Sequence, residues 1–95
     1  MAAYVVVDVR VHDPVRYEEY RKTVAATLVA HGGRFLARGG SVDVLEGSWS
    51  PKRVVIVEFP DAQAARKWWS SAEYASPKAV RQSASDANMI IVEGI

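Results

Sequence analysis

The stretch Gly32–Gly47, GGRFLARGGSVDVLEG, joins the two halves of the chain and decides how they fold together. Its first glycine pair ends the preceding helix, because glycine takes the left-handed conformation that closes many helices. Two short segments with strand-forming residues follow, Arg34–Arg38 and Val42–Glu46. The stretch therefore predicts strand structure between the first helix and the second half of the chain.

The glycine pair Gly39-Gly40 between these segments allows two interpretations. It forms either a tight hairpin turn or a bulge that bends one long strand without ending it. We favour the bent strand, because Gly47–Pro51, GSWSP, offers a better turn before the next strand. Trp49 in that turn is expected to cover the edge of the core.

The first half of the chain predicts a strand and then a helix. Residues Tyr4–Val11, YVVVDVRV, place valine at every odd position and so form an apolar strand face. Asp13-Pro14 then provides a capping carboxylate followed by a proline at the first helical position. The predicted helix runs to about His31, with an apolar seam spaced three and four residues apart that consists of Tyr17, Tyr20, Val24 and Leu28.

The second half predicts strand, helix and strand again. Arg53–Phe59, RVVIVEF, is the most apolar strand and is expected to be central in the sheet. Asp61 caps a second helical region that turns Trp68, and by its spacing also Trp69, toward the core. Ser70 with Glu73 and then Ser76-Pro77 are further helix starts, so this region is expected to be broken through about Ala84. Asn88–Glu93, NMIIVE, is the last strand.

This order of elements predicts a ferredoxin-like βαββαβ fold of the α+β class. Residues 1–95 form a single domain with a four-stranded antiparallel sheet and both helices on one face. The other face carries Val6, Val54 and Ile56, which a monomer would expose to water. Contiguous apolar surface of this kind usually marks an interface. We therefore expect a homodimer that packs through the sheet face, as in dimeric α/β barrels.

Composition excludes several classes of function. The net charge of +1 gives no attraction to nucleic acid, and the absence of cysteine excludes disulfides and Cys-ligated metals. His12 and His31 are too far apart for a metal motif, so neither a metal nor another cofactor is expected. No basic leader precedes the apolar start and no run is long enough to span a membrane, so a cytoplasmic location is expected.

Several stretches spread over nearly the whole chain resemble one family. They are Tyr17–Tyr20, GGRFLARGG at 32–40, LEG at 45–47 with Trp49, VEFP at 57–60, Trp68 with SAEY at 71–74, and VRQ at 80–82. The family is domain of unknown function 1330, within the dimeric α/β-barrel superfamily. The resemblance implies the fold and the dimer but lends no catalytic residue, because the family has no established activity. Its superfamily includes cofactor-free monooxygenases, haem-handling enzymes, isomerases and ligand sensors, an analogy that is weak evidence for function.

Three residues are candidates for catalytic chemistry. Arg38 is the last residue of a predicted strand segment, beside paired glycines, where its guanidinium either clamps a carboxylate or enolate, or forms an ion pair with Glu58 or Asp8. Glu58 is an acid in an apolar strand and serves either as a general acid or base, or as half of such a pair. His31 lies in the last turn of the first helix, where it either carries protons or stabilises the helix dipole.

Four further residues are candidates for a substrate pocket between the sheet and the helices. Tyr20, Trp68 and Tyr74 supply aromatic walls or simply core packing, and Arg81 contributes a positive charge. Two hypotheses follow. The protein is a cofactor-independent enzyme that acts on an organic acid or an enolisable substrate, or it is a non-catalytic metabolite-binding or structural dimer module. Whether it is an enzyme stays open, and a salt-bridged Glu58 would favour binding or structure.

Overall fold

Strand β1, Ala3–Val11, is a central strand of the sheet in the computed structural model, which describes all residues from 1 to 95. β1 pairs antiparallel with β3, Arg53–Phe59, on one side and with β4, Ser85–Glu93, on the other. β2, Arg34–Arg38, completes the sheet by pairing antiparallel with β3. The order β2-β3-β1-β4 confirms the predicted ferredoxin-like fold.

The helices begin where the capping residues predict. Helix α1, Pro14–Val29, starts after Asp13, whose carboxylate accepts a hydrogen bond from the Arg16 amide at 3.1 Å. Helix α2, Ala62–Trp69, starts after Asp61 in the same way. The predicted break lies before α3, Ala72–Ala84, so Pro77 sits inside α3 and does not start a new helix. None of these helices is both long enough and apolar enough to cross a membrane.

The core lies between the helices and one face of the sheet. All four residues of the predicted α1 seam are buried, as are Trp68 and three of the four odd-position valines of β1, Val5, Val7 and Val9, while Val11 is half-buried. Trp69, in contrast, is 44% exposed, so the expectation that it also turns inward is wrong. Neighbouring positions in α2 point about 100° apart, and the sheet lies on the Trp68 side only.

The prediction that the Gly32–Gly47 stretch contains one long bent strand is wrong. β2 ends at Arg38, and residues 39–52 form a loop in which Val42–Glu46 is not a strand. The reason is that the partner strand β3 is too short to pair with residues beyond Gly39. Gly39 donates its amide hydrogen to the carbonyl of Val54, so residues further along pass beyond the start of β3 and have nothing to pair with.

The sheet does contain a bulge, but it lies inside β2. Phe35 is opposite Val57 and Ala37 is opposite Ile56, so Leu36 is the extra residue. An extra residue shifts the alternation of side chains by one, because successive strand residues point to opposite faces. Arg38, opposite the buried Val55, therefore faces the helices. Without the bulge it would share the outer face with Arg34.

Candidate functional site

A small apolar cavity lies between the helix-facing side of the sheet and the helices. All four strands and all three helices contribute to its walls, which include Val5, Val7, Val57, Leu28, Tyr20 and Trp68. Its volume is about 30 Å³, which is room for about one water molecule. In this conformation the cavity is closed to an organic molecule.

The charged residues that line the cavity are all arginines. Arg21, Arg38, Arg53 and Arg81 contribute to its lining, and no aspartate, glutamate or histidine does. Of the four, only Arg21 is ion-paired, through Nη1 to Glu18 at 3.1 Å. A cavity with this lining favours an anionic occupant over a cationic one.

Arg81 is the most buried of the four arginines. It is 6% exposed and takes part in none of the three ion pairs of the chain, which are Glu18–Arg21, His31–Glu73 and Arg34–Glu58. Its Nε donates a hydrogen bond to the hydroxyl of Tyr74 at 3.3 Å. Because arginine stays protonated in proteins, this mostly buried positive charge has a neutral protein partner, and its Nη atoms, which have no partner in the protein, still reach solvent.

Two tyrosines extend this contact into a hydrogen-bonded chain. The hydroxyls of Tyr74 and Tyr20 are 2.9 Å apart, and Tyr20 lines the cavity while Tyr74 lies behind its wall. Burial, and then the neighbouring Tyr74, raise the pKa of Tyr20 well above its usual range. Tyr20 therefore stays a neutral phenol that can donate a hydrogen bond but cannot act as a base near neutral pH.

Arg38 and Arg53 line the cavity from β2 and β3. Arg38 donates from Nη2 to the carbonyl oxygen of Arg21 at 2.8 Å, and its guanidinium lies 4.3 Å from the centre of the Phe35 ring. Arg53 donates from Nε to the Tyr17 hydroxyl at 3.3 Å. Both cations have neutral partners, so Arg38 does not form the ion pair with Glu58 or Asp8 that was its alternative.

Glu58 lies on the outer face of the sheet and is paired there. Its Oε1 accepts a hydrogen bond from Arg34 Nε at 2.7 Å, opposite it on β2. Because the bulge turns Arg38 to the helix side, these two candidates lie on different faces of the sheet. Arg38 and Glu58 therefore cannot act on one bound molecule in this conformation.

His31 also lies outside the cavity. It lies in the turn after α1, which ends at Val29, so the prediction that it belongs to the last turn of the helix is wrong. Its Nε2 is 3.1 Å from Oε1 of Glu73, a contact that joins this turn to the first turn of α3. A backbone hydrogen bond to Glu73, followed by the bond from His31, lowers the pKa of that exposed carboxyl. Because His31 contacts Glu73 and does not line the cavity, it is better placed to link the two helices than to carry protons for a bound molecule.

Trp49 does not cover the edge of the core. Its Nε1 donates to Asp8 Oδ2 at 2.9 Å, and the side chain is 62% exposed. Asp8 belongs to the outer face of the sheet. The 39–52 loop thus starts beside the cavity at Gly39 and reaches the opposite face at Trp49.

Arg53 was not predicted to line the cavity, although the alternation of residues in its strand indicates it. It lies two residues before Val55 on β3, and alternate residues of a strand share a face. The same rule that buries Val55, Val57 and Phe59 therefore places Arg53 on the helix side.

Comparisons with known proteins identify the family. The model for "Domain of unknown function (DUF1330)" matches residues 2–95, so the chain belongs to this family. No protein with a curated description matches the chain.

Solved structures agree with the fold. A protein of unknown function from Rhodopseudomonas palustris is similar with a TM-score of 0.81 and 19% identity, over 99% of this chain and 82% of that one. A dimeric ferredoxin-like protein of unknown function from a Jannaschia species is similar with a TM-score of 0.77 and 12% identity, over 99% and 100%. SnoaB, a cofactor-independent oxygenase from Streptomyces nogalater, has a TM-score of 0.67 and 14% identity, over 99% and 93%. At these identities the similarity shows the fold alone.

Proposed function

We propose that this member of the DUF1330 family binds a small organic anion in the cavity between sheet and helices. The observation that carries the proposal is Arg81, a buried guanidinium without a carboxylate partner. A carboxylate or an enolate is the expected binding group, because each presents oxygens that match the planar fork of arginine donors.

Energetics support a functional role for this charge. Removing an arginine from water costs several kcal/mol unless a counter-charge and hydrogen bonds compensate. Tyr74 and the solvent that still reaches the Nη atoms compensate for part of this cost, whereas a nonpolar side chain of similar size would fill the same space without it. Unfavourable groups of this kind persist where a ligand uses them.

Binding requires the cavity to open. Arg38 and Arg53 are each held in the wall by one hydrogen bond to a neutral group, at 2.8 and 3.3 Å. Long side chains with such contacts can move at low cost, whereas the strands and Trp68 behind them are packed in the core. We expect a ligand to enter by displacing these two side chains and to bring its apolar part against Trp68.

The substitution Arg81→Gln tests the proposal. We expect octanoate to bind the protein and octanamide, which has the same carbon chain without the charge, to bind about 10- to 100-fold more weakly. Arg81→Gln should weaken octanoate binding by a similar factor, because it removes the charged donor. Titration calorimetry gives the affinities.

Arg66→Gln is the matched control. Arg66 is an exposed arginine of α2 that does not line the cavity, so its removal changes net charge equally and should leave octanoate affinity unchanged. Equal affinity for octanoate and octanamide, or an Arg81→Gln variant that folds and binds octanoate normally, would contradict the proposal.

A cofactor-independent enzyme acting on an enolisable acid is the second candidate. The chain from Arg81 through Tyr74 to Tyr20 favours it, because a cation and phenolic hydroxyls are donors that stabilise an enolate oxygen. SnoaB, with the same fold, is described as a cofactor-independent oxygenase. Against it stands the lining of the cavity, which includes no carboxylate or histidine as a general base.

Hydrogen exchange separates the two candidates. If the protein stabilises an enolate, it should accelerate exchange of the methylene protons of phenylpyruvate, which lie next to its ketone, with deuterated water, as measured by NMR. The acceleration should fall by roughly 10- to 100-fold in Arg81→Gln, since one charged hydrogen bond to the oxyanion is removed. Glu58→Gln is the control that should keep the full rate, because Glu58 lies on the other face. Binding without acceleration would leave the binding module as the function.

The outer face of the sheet is proposed to hold a second copy of the chain. Val6 lies between Ile56 on β3 and Ile90 on β4, and Ile90 is 57% exposed. Structural neighbours from Jannaschia and Thermobifida fusca are described as dimeric ferredoxin-like proteins. These observations support a homodimer with the two outer faces in contact.

A further inference from the structure

We infer that the ligand carries two anionic groups joined by a slender apolar chain, with one group at Arg81 and the other at Arg38 and Arg53. The inference rests on the proposed function and adds the class of ligand. It predicts a linear dicarboxylate as the best simple probe.

The arginines lie at two ends of the cavity, with Arg38 and Arg53 at one end and Arg81 at the other. Arg38 is opposite Val55 and Arg53 is two residues before Val55, so both point to the helix side near the β2–β3 edge. Arg81 also lines a groove along β4, with Met89 and Ile91, at the other edge of the sheet. Strands lie about 4.8 Å apart, so the sheet measures roughly 14 Å across from β2 to β4, which sets the scale of the distance between the two ends.

Both arginines near β2 are available for an anion. Their partners are a carbonyl oxygen and a phenol, whereas Arg34 on the same strand already has Glu58. Gly39 covers the Arg53 guanidinium on the loop side, where a side chain on Gly39 would collide with Nη1. Its φ of 73° also favours glycine. The loop therefore leaves Arg53 facing the cavity.

The rest of the cavity lining is mostly apolar. It includes Val5, Val7, Val57 and Trp68, whose N–H is bonded to Thr27. The hydroxyls of Tyr17 and Tyr20 in the lining are bonded to Arg53 and Tyr74. A saturated chain suits such walls. Such a chain is also narrower than a fused-ring body, so admitting it displaces the packed walls of the cavity less.

Matched acids test the inference at fixed ionic strength by calorimetry. Suberate and octanoate share one chain length and differ in the second carboxylate, so we expect suberate to bind about 10- to 100-fold more tightly. Succinate is too short to reach both ends and should bind more weakly than suberate. Arg38→Gln and Arg53→Gln each remove one charged donor to the second carboxylate. Each should therefore lower the preference for suberate over octanoate by a factor of about 10 or more.

Arg34→Gln is the control, because Arg34 belongs to the same strand as Arg38 but faces away from the cavity. It should keep the preference for suberate. The inference is wrong if suberate binds no better than octanoate, if succinate equals suberate, or if the preference survives both cavity substitutions. If any of these results is found but octanoate still binds, and Arg81→Gln weakens that binding, the proposed function stands without the second anionic group. If neither acid binds, both fail.

Discussion

Trp68→Ala is expected to lower the free energy of unfolding by about 3 to 5 kcal/mol, the usual cost of truncating a large buried aromatic. Trp68 is 2% exposed, and its ring centre lies 4.0 Å from that of Tyr74 and 5.6 Å from that of Phe59. The substitution also removes the donor to Thr27 Oγ1, a contact of 3.0 Å. Domains of this size have about 5 to 15 kcal/mol in total, so the loss is severe. Urea denaturation followed by circular dichroism measures it.

Trp69→Ala is the control, since it removes the same side chain at the next position. Trp69 is 44% exposed, and the Lys78 ammonium lies 3.7 Å from its ring centre. A cation–π contact at an exposed site contributes about 0.5 to 1 kcal/mol and the ring is only partly buried, so we expect a clearly smaller loss than for Trp68→Ala. Similar losses for the two substitutions would contradict the assignment of Trp68 to the core and Trp69 to the surface.

The fold could be predicted from the sequence because its determinants are local. The odd valines of β1 identify a strand face, and Asp13 and Asp61 mark helix starts by contacts within three residues. The exposed outer face followed from the same alternation, since Val6 and Ile56 occupy even positions next to one another. These features need no knowledge of distant parts of the chain.

The 39–52 loop could not be predicted in this way. Val42 and Val44 have strand propensity, but β3 begins at Arg53 and offers them no partner. Strand formation there depends on the register between β2 and β3, which the local residues do not determine. The bulge at Leu36 could not be predicted from local residues either, because no glycine marks its position.

The candidate site was predicted only in part for a related reason. Tyr20, Trp68 and Arg81 do line one cavity, and helical spacing alone was sufficient to suggest it. The pairing of charges was not predictable, because Glu58 meets Arg34 through the register of β2 with β3. The bulge then separates Arg38 from Glu58. The extra residue Leu36 in β2 thus determines that Arg38, and not Arg34, faces the cavity.

Ile90→Lys is expected to convert a homodimer into a monomer. Ile90 is opposite Val6 in the apolar row of the outer face, where a symmetric interface would bury one lysine from each protomer. Removing each ammonium from water costs several kcal/mol, so the dissociation constant should rise by roughly 1,000-fold or more. Light scattering coupled to gel filtration at micromolar concentration measures the mass directly.

Val15→Lys provides the comparison for this experiment. Val15 is 81% exposed on α1, which covers the opposite side of the sheet, so a lysine there adds the same charge outside the proposed interface. It should leave the dimer intact. A monomeric wild-type protein, or an Ile90→Lys variant that remains dimeric, would show that the outer face is not the contact. In that case Val6 and Ile56 would need another reason for lying half-buried on a face that no helix covers.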